Sequence, residues 1–454
     1  MKKLIVLIFS VILVLSLVGF VGCKSNNSSE NSFDNSSLEE SLPDSAPDSV
    51  PDSSESKPDN GKNEQTNSLK YEKSADGRTL IVVGLEDLEI TDLVIPSTYQ
   101  GLPVTHIKKS AFSGCKNLIS VTISSGITTI GEFAFYYCSN LTTVEISDKV
   151  TEIGDCAFYG CSNLTEINLP SNLTKINYSV FYICRSLTEI VIPNSVTSIG
   201  FSAFNGCRGL TEIVIPNSVT EICGYAFYEC SGLTEIVIPN SVTKIGHCAF
   251  FNCSGLTSVE ILNSETQLFY ATFSGCTSLT KVTLPDSLTE ISEKMFSGCT
   301  SLTQINLPSS VTYIGNSAFS GCISLSQINL PDGLTQIDSS AFRNCTSLTE
   351  INLTDKITTI GSFAFDNCSS LTQIILPSGV TTIGDYAFSD CKALTFVVLP
   401  SSITSIGVFS FAYCNLLTDI KYQGSSLQWS NISKNGTWDY NTNNYTITYN
   451  YTGE

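Results

Sequence analysis

Histidine, tryptophan and methionine are nearly missing from this chain, with two of each in 454 residues. The two histidines, His106 and His247, fall in no Cys–His or Ser–His–Asp grouping, so nucleophilic catalysis has nothing to build on. No His-Glu-x-x-His, Cys-x-x-Cys or Gly-x-x-x-x-Gly-Lys motif occurs, which leaves zinc-hydrolase, dithiol and phosphate-cradling chemistry without their residues. Charged residues are only 14%, and one sign is short: 23 Lys and Arg stand against 42 Asp and Glu, a formal net charge of −19. That field repels a duplex, so no nucleic-acid partner is expected, while a basic partner is favoured. Carboxylate pairs are plentiful but lack the enclosure that shifts a pKa for acid–base work. No enzyme activity, cofactor or metal site is expected.

What the chain has instead is periodicity. Fourteen of its 18 cysteines stand at one interval, Cys115, Cys138, Cys161 and onward every 23 residues to Cys414. Cysteines placed by a repeat act as small apolar groups with a weak donor, so buried free thiols are expected more than a disulfide framework. Cys156, Cys223 and Cys248 lie off the ladder and read as structural.

The ladder aligns everything else. A phenylalanine stands three residues before each of the fourteen cysteines, from Phe112 to Phe411, and a leucine three after, from Leu118 to Leu417. Ile or Val follows at six after, Ile or Leu at eight after until Tyr422, and Pro often at nine after, as at Pro170, Pro193 and Pro216. Ile stands fifteen after as far as Ile406, with Leu268 the exception. A single coil cannot bury such a face, but stacked coils share one core, which is the logic of a solenoid. Leu210, Ile213 and Ile215 form an L-x-x-I-x-I stretch whose last two residues alternate inward along a short strand. Proline ends that strand because it has no N–H to give a ladder. The Ala-Phe-x-x-Cys segment suits a tight helical turn. At about 4.8 Å per strand, fourteen coils span roughly 65 Å.

The string Ile-Gly-x-x-Ala-Phe-x-x-Cys-x-x-Leu-Thr-x-Ile-x-Leu-Pro-x-x-Val-Thr, clear from Ile314 to Thr335, resembles the leucine-rich repeats of the BspA type, also called the Treponema pallidum type. The resemblance covers about residues 93–422. It implies a mainly-β α/β-type repeat solenoid, a right-handed array of fourteen coils over 111–414. Residues 69–110 and 415–454 are expected to be N- and C-terminal caps. In the first, Thr79–Val83 reads as a strand after a turn at 75–78. In the second, Tyr422–Trp429 looks like the family's closing segment, with Tyr445 to Tyr451 as a final strand. The resemblance also implies an adhesin-like surface protein that binds a host or neighbouring-cell protein.

The ends of the chain point the same way. Lys2 and Lys3 precede an apolar run from Leu4 to Val18, and Gly19 and Gly22 follow, the order of an export signal. Val21-Gly22-Cys23 resembles a bacterial lipobox, with Phe20 where leucine is usual, so residues 1–22 are expected to be removed and Cys23 lipidated. The rival reading is an uncleaved anchor from Leu4 to Gly22, just long enough to span a bilayer. Residues 23–68 hold the lipidated cysteine and a Ser/Asp/Pro-rich tether, including Pro-Asp-Ser repeats from Pro43 to Ser53, too polar to pay for order. The membrane is then touched only through the lipid, and a cell-surface location follows.

Binding residues are sought among the outward strand positions. Five after the cysteine stand Glu166, Glu189, Glu212 and Glu235; seven after stand Asn168, Val191, Val214 and Val237. Stacked glutamates repel, a cost that a basic partner or a cation would relieve, and an exposed valine stripe suits an interface. Recent duplication of the coils from Leu187 to Thr243 would produce the same columns without selection for binding. One coil departs from the pattern with Leu262, Glu265 and Phe269, either a local kink or a recognition feature. A carbohydrate-binding role would need exposed aromatics, with Phe396, Tyr422 and Trp429 the candidates. A structural surface spacer is the remaining alternative. With both ends capped, a monomer is expected.

Overall fold

The computed structural model describes residues 68–453. The expected export signal, the lipidation expected at Cys23 and the expected tether up to residue 67 lie outside the described residues. From the first cap onward the chain is a mainly-β leucine-rich-repeat solenoid of about 16 turns with almost no helix.

Most coils contribute to two parallel ladders. The first uses the alternating stretch after the leucine, as in Ser120–Ile123, Thr143–Ile146 and Glu235–Ile238. The second is a two-residue strand ending at the isoleucine fifteen after the cysteine, such as Thr129–Ile130 and Lys244–Ile245. Register advances by 23 residues, as Ser258 opposite Lys281 and Lys244 opposite Gln267 show. The first ladder is the strand expected from L-x-x-I-x-I. The second was not legible, because two residues carry no alternation.

The Ala-Phe-x-x-Cys segment is not helical, contrary to the expectation from its spacing. It is a chain of tight turns in which two residues per coil take left-handed φ, five before and one before the cysteine. Phe133 at 57° and Tyr137 at 54°, or Ser202 at 54° and Gly206 at 75°, are examples. The left-handed residues aim their N–H groups along the array, and a third set of inter-coil bonds results. Phe133 N–H donates to Asp155 at 2.9 Å, Phe135 to Ala157 at 2.8 Å and Tyr137 to Tyr159 at 2.7 Å. A helix would spend those donors within the coil, where they could not hold neighbours together.

The core is one column of identical contacts. Phe112 to Phe411 are fully buried, their rings stacked coil on coil at 5.1–5.9 Å. Each phenylalanine buried this way contributes about 1.5–3 kcal/mol. Every ladder cysteine from Cys138 to Cys414 donates its S–H to a phenylalanine carbonyl 26 residues earlier, at 3.0–3.3 Å. The thiol satisfies an acceptor that burial would otherwise leave short of partners. No disulfide joins the 17 described cysteines, and Cys115 alone of them is not buried.

At the N-terminal end, Leu69–Lys73 and Leu80–Leu85 form an antiparallel hairpin whose second strand pairs with Leu102–Ile107. At the C-terminal end, helix α1 (Ser426–Asn431) starts from a capping box at Ser425 and buries Trp429. Thr446–Thr448 then pairs with Asp419–Tyr422, a shorter final strand than residues 445–451 would make.

Candidate functional site: the strand face and its neighbours

Glu166, Glu189, Glu212 and Glu235 are all exposed and share the strand face with Val191, Val214 and Val237. The valines are 82%, 79% and 49% exposed, far beyond what a strand normally leaves open to water for so apolar a group. The strand pairing itself changes one coil earlier. The Asn168 amide accepts from Ile146 N at 2.8 Å and donates to Ile146 O at 2.7 Å, taking both groups that a neighbouring strand would use. Pairing therefore stops at Glu166–Ile167, and stretches 189–192 and 212–215 run without strand pairing until Glu235–Ile238 resumes it. The second ladder is unbroken across the same coils, from Lys175–Ile176 to Gln267–Leu268, and holds them together. Uncovered valine and unpaired backbone coincide at Val191 and Val214, whereas Val237 is exposed on a paired strand.

The irregular coil does not kink the strand face. Ser258–Ile261 pairs in register on both sides. It interrupts the second ladder instead, which ends at Gln267–Leu268 and restarts at Glu290–Ile291. Phe269, standing where most other coils have glycine, packs its ring against His247 at 5.2 Å, with Lys244 5.8 Å from it. Burial, helped by Lys244, holds the His247 imidazole below its usual pKa.

The aromatics named from the sequence for a sugar face do not serve. Tyr422 is fully buried and Trp429 nearly so, while Phe396 lies under Lys421, whose Nζ is 4.6 Å from its ring and 5.0 Å from that of Tyr451. Aromatics gather on the turn face instead. Two before the cysteine, Tyr136, Tyr159 and Tyr182 stack at 5.0 and 4.4 Å, and Tyr228 stacks on Phe251 at 5.0 Å. That column was visible in the repeat alignment, but nothing in the residues alone said that the turn faces solvent.

Concavities are shallow. One of about 220 Å³ is lined by Glu350, Asn352, Asp355 and Gln373, where the first ladder is again interrupted. Among the described residues no group of His, Cys, Asp and Glu is placed to hold a metal, and no helix is long and apolar enough to cross a membrane. Burial pushes the ladder thiols up, Cys207 and Cys276 to about 12, so they carry no nucleophilic thiolate at neutral pH.

This geometry, a 23-residue coil with a Phe–Cys core column, is that of bacterial leucine-rich-repeat proteins. The BspA type leucine rich repeat region matches residues 86–211, 197–326 and 312–435, and the chain belongs to that family. A leucine rich cell surface protein from Faecalibacterium prausnitzii is 30% identical over 81% of this chain and 96% of its own, with a TM-score of 0.53. A leucine-rich repeat protein from Bacteroides ovatus is 27% identical over 84% of this chain and 98% of its own, with a TM-score of 0.52. No curated protein matches the chain.

Proposed function

We propose that this is an exported, lipid-anchored surface protein that binds a protein outside the cell, without catalysis, through the strand face around Val191, Val214 and Val237. The observation that carries the reading is the exposure of Val191 and Val214, 82% and 79%, between flanking glutamates on a face with no cover of its own. A continuous apolar stripe rimmed by charge is the pattern of an interface core and its rim. The net charge of −19 favours a partner with a basic patch, drawn in by the field and held by the valines. The cell-surface relative in Faecalibacterium prausnitzii supports the location, and the lipobox-like Val21-Gly22-Cys23 supports the anchor.

The test uses the chain with Val191, Val214 and Val237 all changed to serine. Pull-downs from serum, matrix extract and co-resident bacterial lysate should yield a protein held by the native chain and lost by the variant, with unchanged thermal unfolding. Capture that survives the substitutions moves the site elsewhere. No capture from any source favours the structural spacer. Labelling with radioactive palmitate should mark the native chain and not Cys23→Ser.

A further inference from the structure

The aromatic column two before the cysteine has one gap. It runs Tyr136, Tyr159, Tyr182, Asn205, Tyr228, Phe251, and wherever two rings are neighbours they stack at 4.4–5.0 Å. At Asn205 the stack loses one ring. Tyr182 and Tyr228 therefore flank a slot two coil spacings wide, roughly 10 Å between rings, which admits one flat group in contact with both faces. Burial pushes up the phenols of Tyr182 and Tyr228, and the Glu229 carboxylate adds to the rise at both.

The slot is polar at its floor and rim. Asn205 uses its backbone, N–H to Ser202 and C=O from Ile183, while its side-chain amide has no hydrogen-bond partner among the described residues. Gly206, left-handed at φ 75°, lies against Ile183 of the preceding coil. Arg208 and Glu229 pair at 2.6 Å beside it, 54% and 32% exposed.

We propose that Tyr182, Asn205, Tyr228 and the Arg208–Glu229 pair form a binding site for a neutral pyranose of a surface glycan. A pyranose offers C–H faces to the two rings and hydroxyls that both give and accept, which an amide, a guanidinium and a carboxylate match. A phenylalanine or tyrosine from a partner protein would fill the same width but leave the amide and the ion pair without complementary groups, a cost on desolvation. A nucleobase is disfavoured by the charge of the chain. This site lies on the turn face and is separate from the valine stripe.

The full chain is titrated with maltotetraose, cellotetraose and N-acetyllactosamine, read by saturation-transfer NMR and calorimetry. At least one should bind, with transfer to the ring C–H protons. Asn205→Tyr completes the stack, so it should weaken binding at least tenfold without lowering the melting temperature. Arg208→Gln, which leaves the rings in place, should weaken it at least fivefold. The triple valine variant should bind sugar as the native chain does, which keeps this outcome apart from that of the valine stripe. The proposal is overturned if none of the three sugars binds, if Asn205→Tyr and Arg208→Gln both bind as the native chain does, or if Asn205→Tyr releases a captured protein and leaves sugar binding intact.

Discussion

Two stretches of the strand face carry apolar residues where the repeat usually has polar ones, and the chain treats them differently. Val191 and Val214 are 82% and 79% exposed, whereas Val398, at the same column, is 3% exposed. Near the C-terminus, Phe396–Leu399 is paired on both sides. There Lys421 lies across Phe396, and the ring of Tyr451 lies against Lys421 in turn. The middle coils have neither pairing nor cover. Pairing alone does not close the column, because Ile375, in register with Val398 on the preceding strand, is 54% exposed; Val398 itself lies between Ile375 and Lys421. The uncovered pair is the one that a partner would have to cover.

Four substitutions break or sharpen that contrast. The largest effect is expected at Val398→Asn, which buries an amide in place of a packed side chain and should cost about 2–3 kcal/mol. Val191→Asn and Val214→Asn should stay within about ±0.5 kcal/mol. Chemical denaturation of the three variants side by side measures this, and equal costs would mean that the middle stripe is covered in solution. Next, Lys421→Ala should remove about 1 kcal/mol of cation–π and aliphatic packing and uncover Phe396. An increase in binding of an apolar dye, alongside a lower melting temperature, would report it.

Strain also differs from coil to coil. One before the cysteine, Ile183 stands at φ 58°, while Asn252, Asn344 and Asn367 take the same place at 55–60°. A β-branched residue is a poor occupant of that region and asparagine a tolerated one. Ile183→Asn should therefore raise stability by about 1 kcal/mol, and Asn367→Ile should lower it by as much. A loss at Ile183→Asn would show that its side-chain packing outweighs backbone strain. The smallest change is expected for Glu189→Gln with Glu212→Gln. Relief of stacked like charges should add a few tenths of a kcal/mol at low ionic strength and vanish in molar salt. A gain that persists in salt would point away from charge repulsion.

The core was legible residue by residue. Phe227, Cys230, Leu233 and Ile236 are buried as the repeat columns required, because a side chain that recurs every 23 residues meets its own copy in the next coil. The outward character of the glutamates and valines followed from the same alternation. Other features left no such mark. The left-handed residue one before the cysteine is hinted at by Gly114, Gly160 and Gly206, but Tyr137 and Ile183 hide it, so the segment reads as a helix. The second ladder is two residues long, too short for a period. Asn168 looks like an ordinary polar strand residue, and only its two bonds to Ile146 reveal that it ends the strand pairing.

The amino-acid sequence by itself determined the solenoid, its core and the outward columns, since a strict period leaves stacking as the one way to bury a continuous apolar face. The tertiary structure alone decided which of those columns stay open. Cover for Val398, the loss of pairing after Asn168 and the one-ring slot at Asn205 each depend on residues 20 or more apart meeting across coils, and chain order does not specify those distances until the array is built.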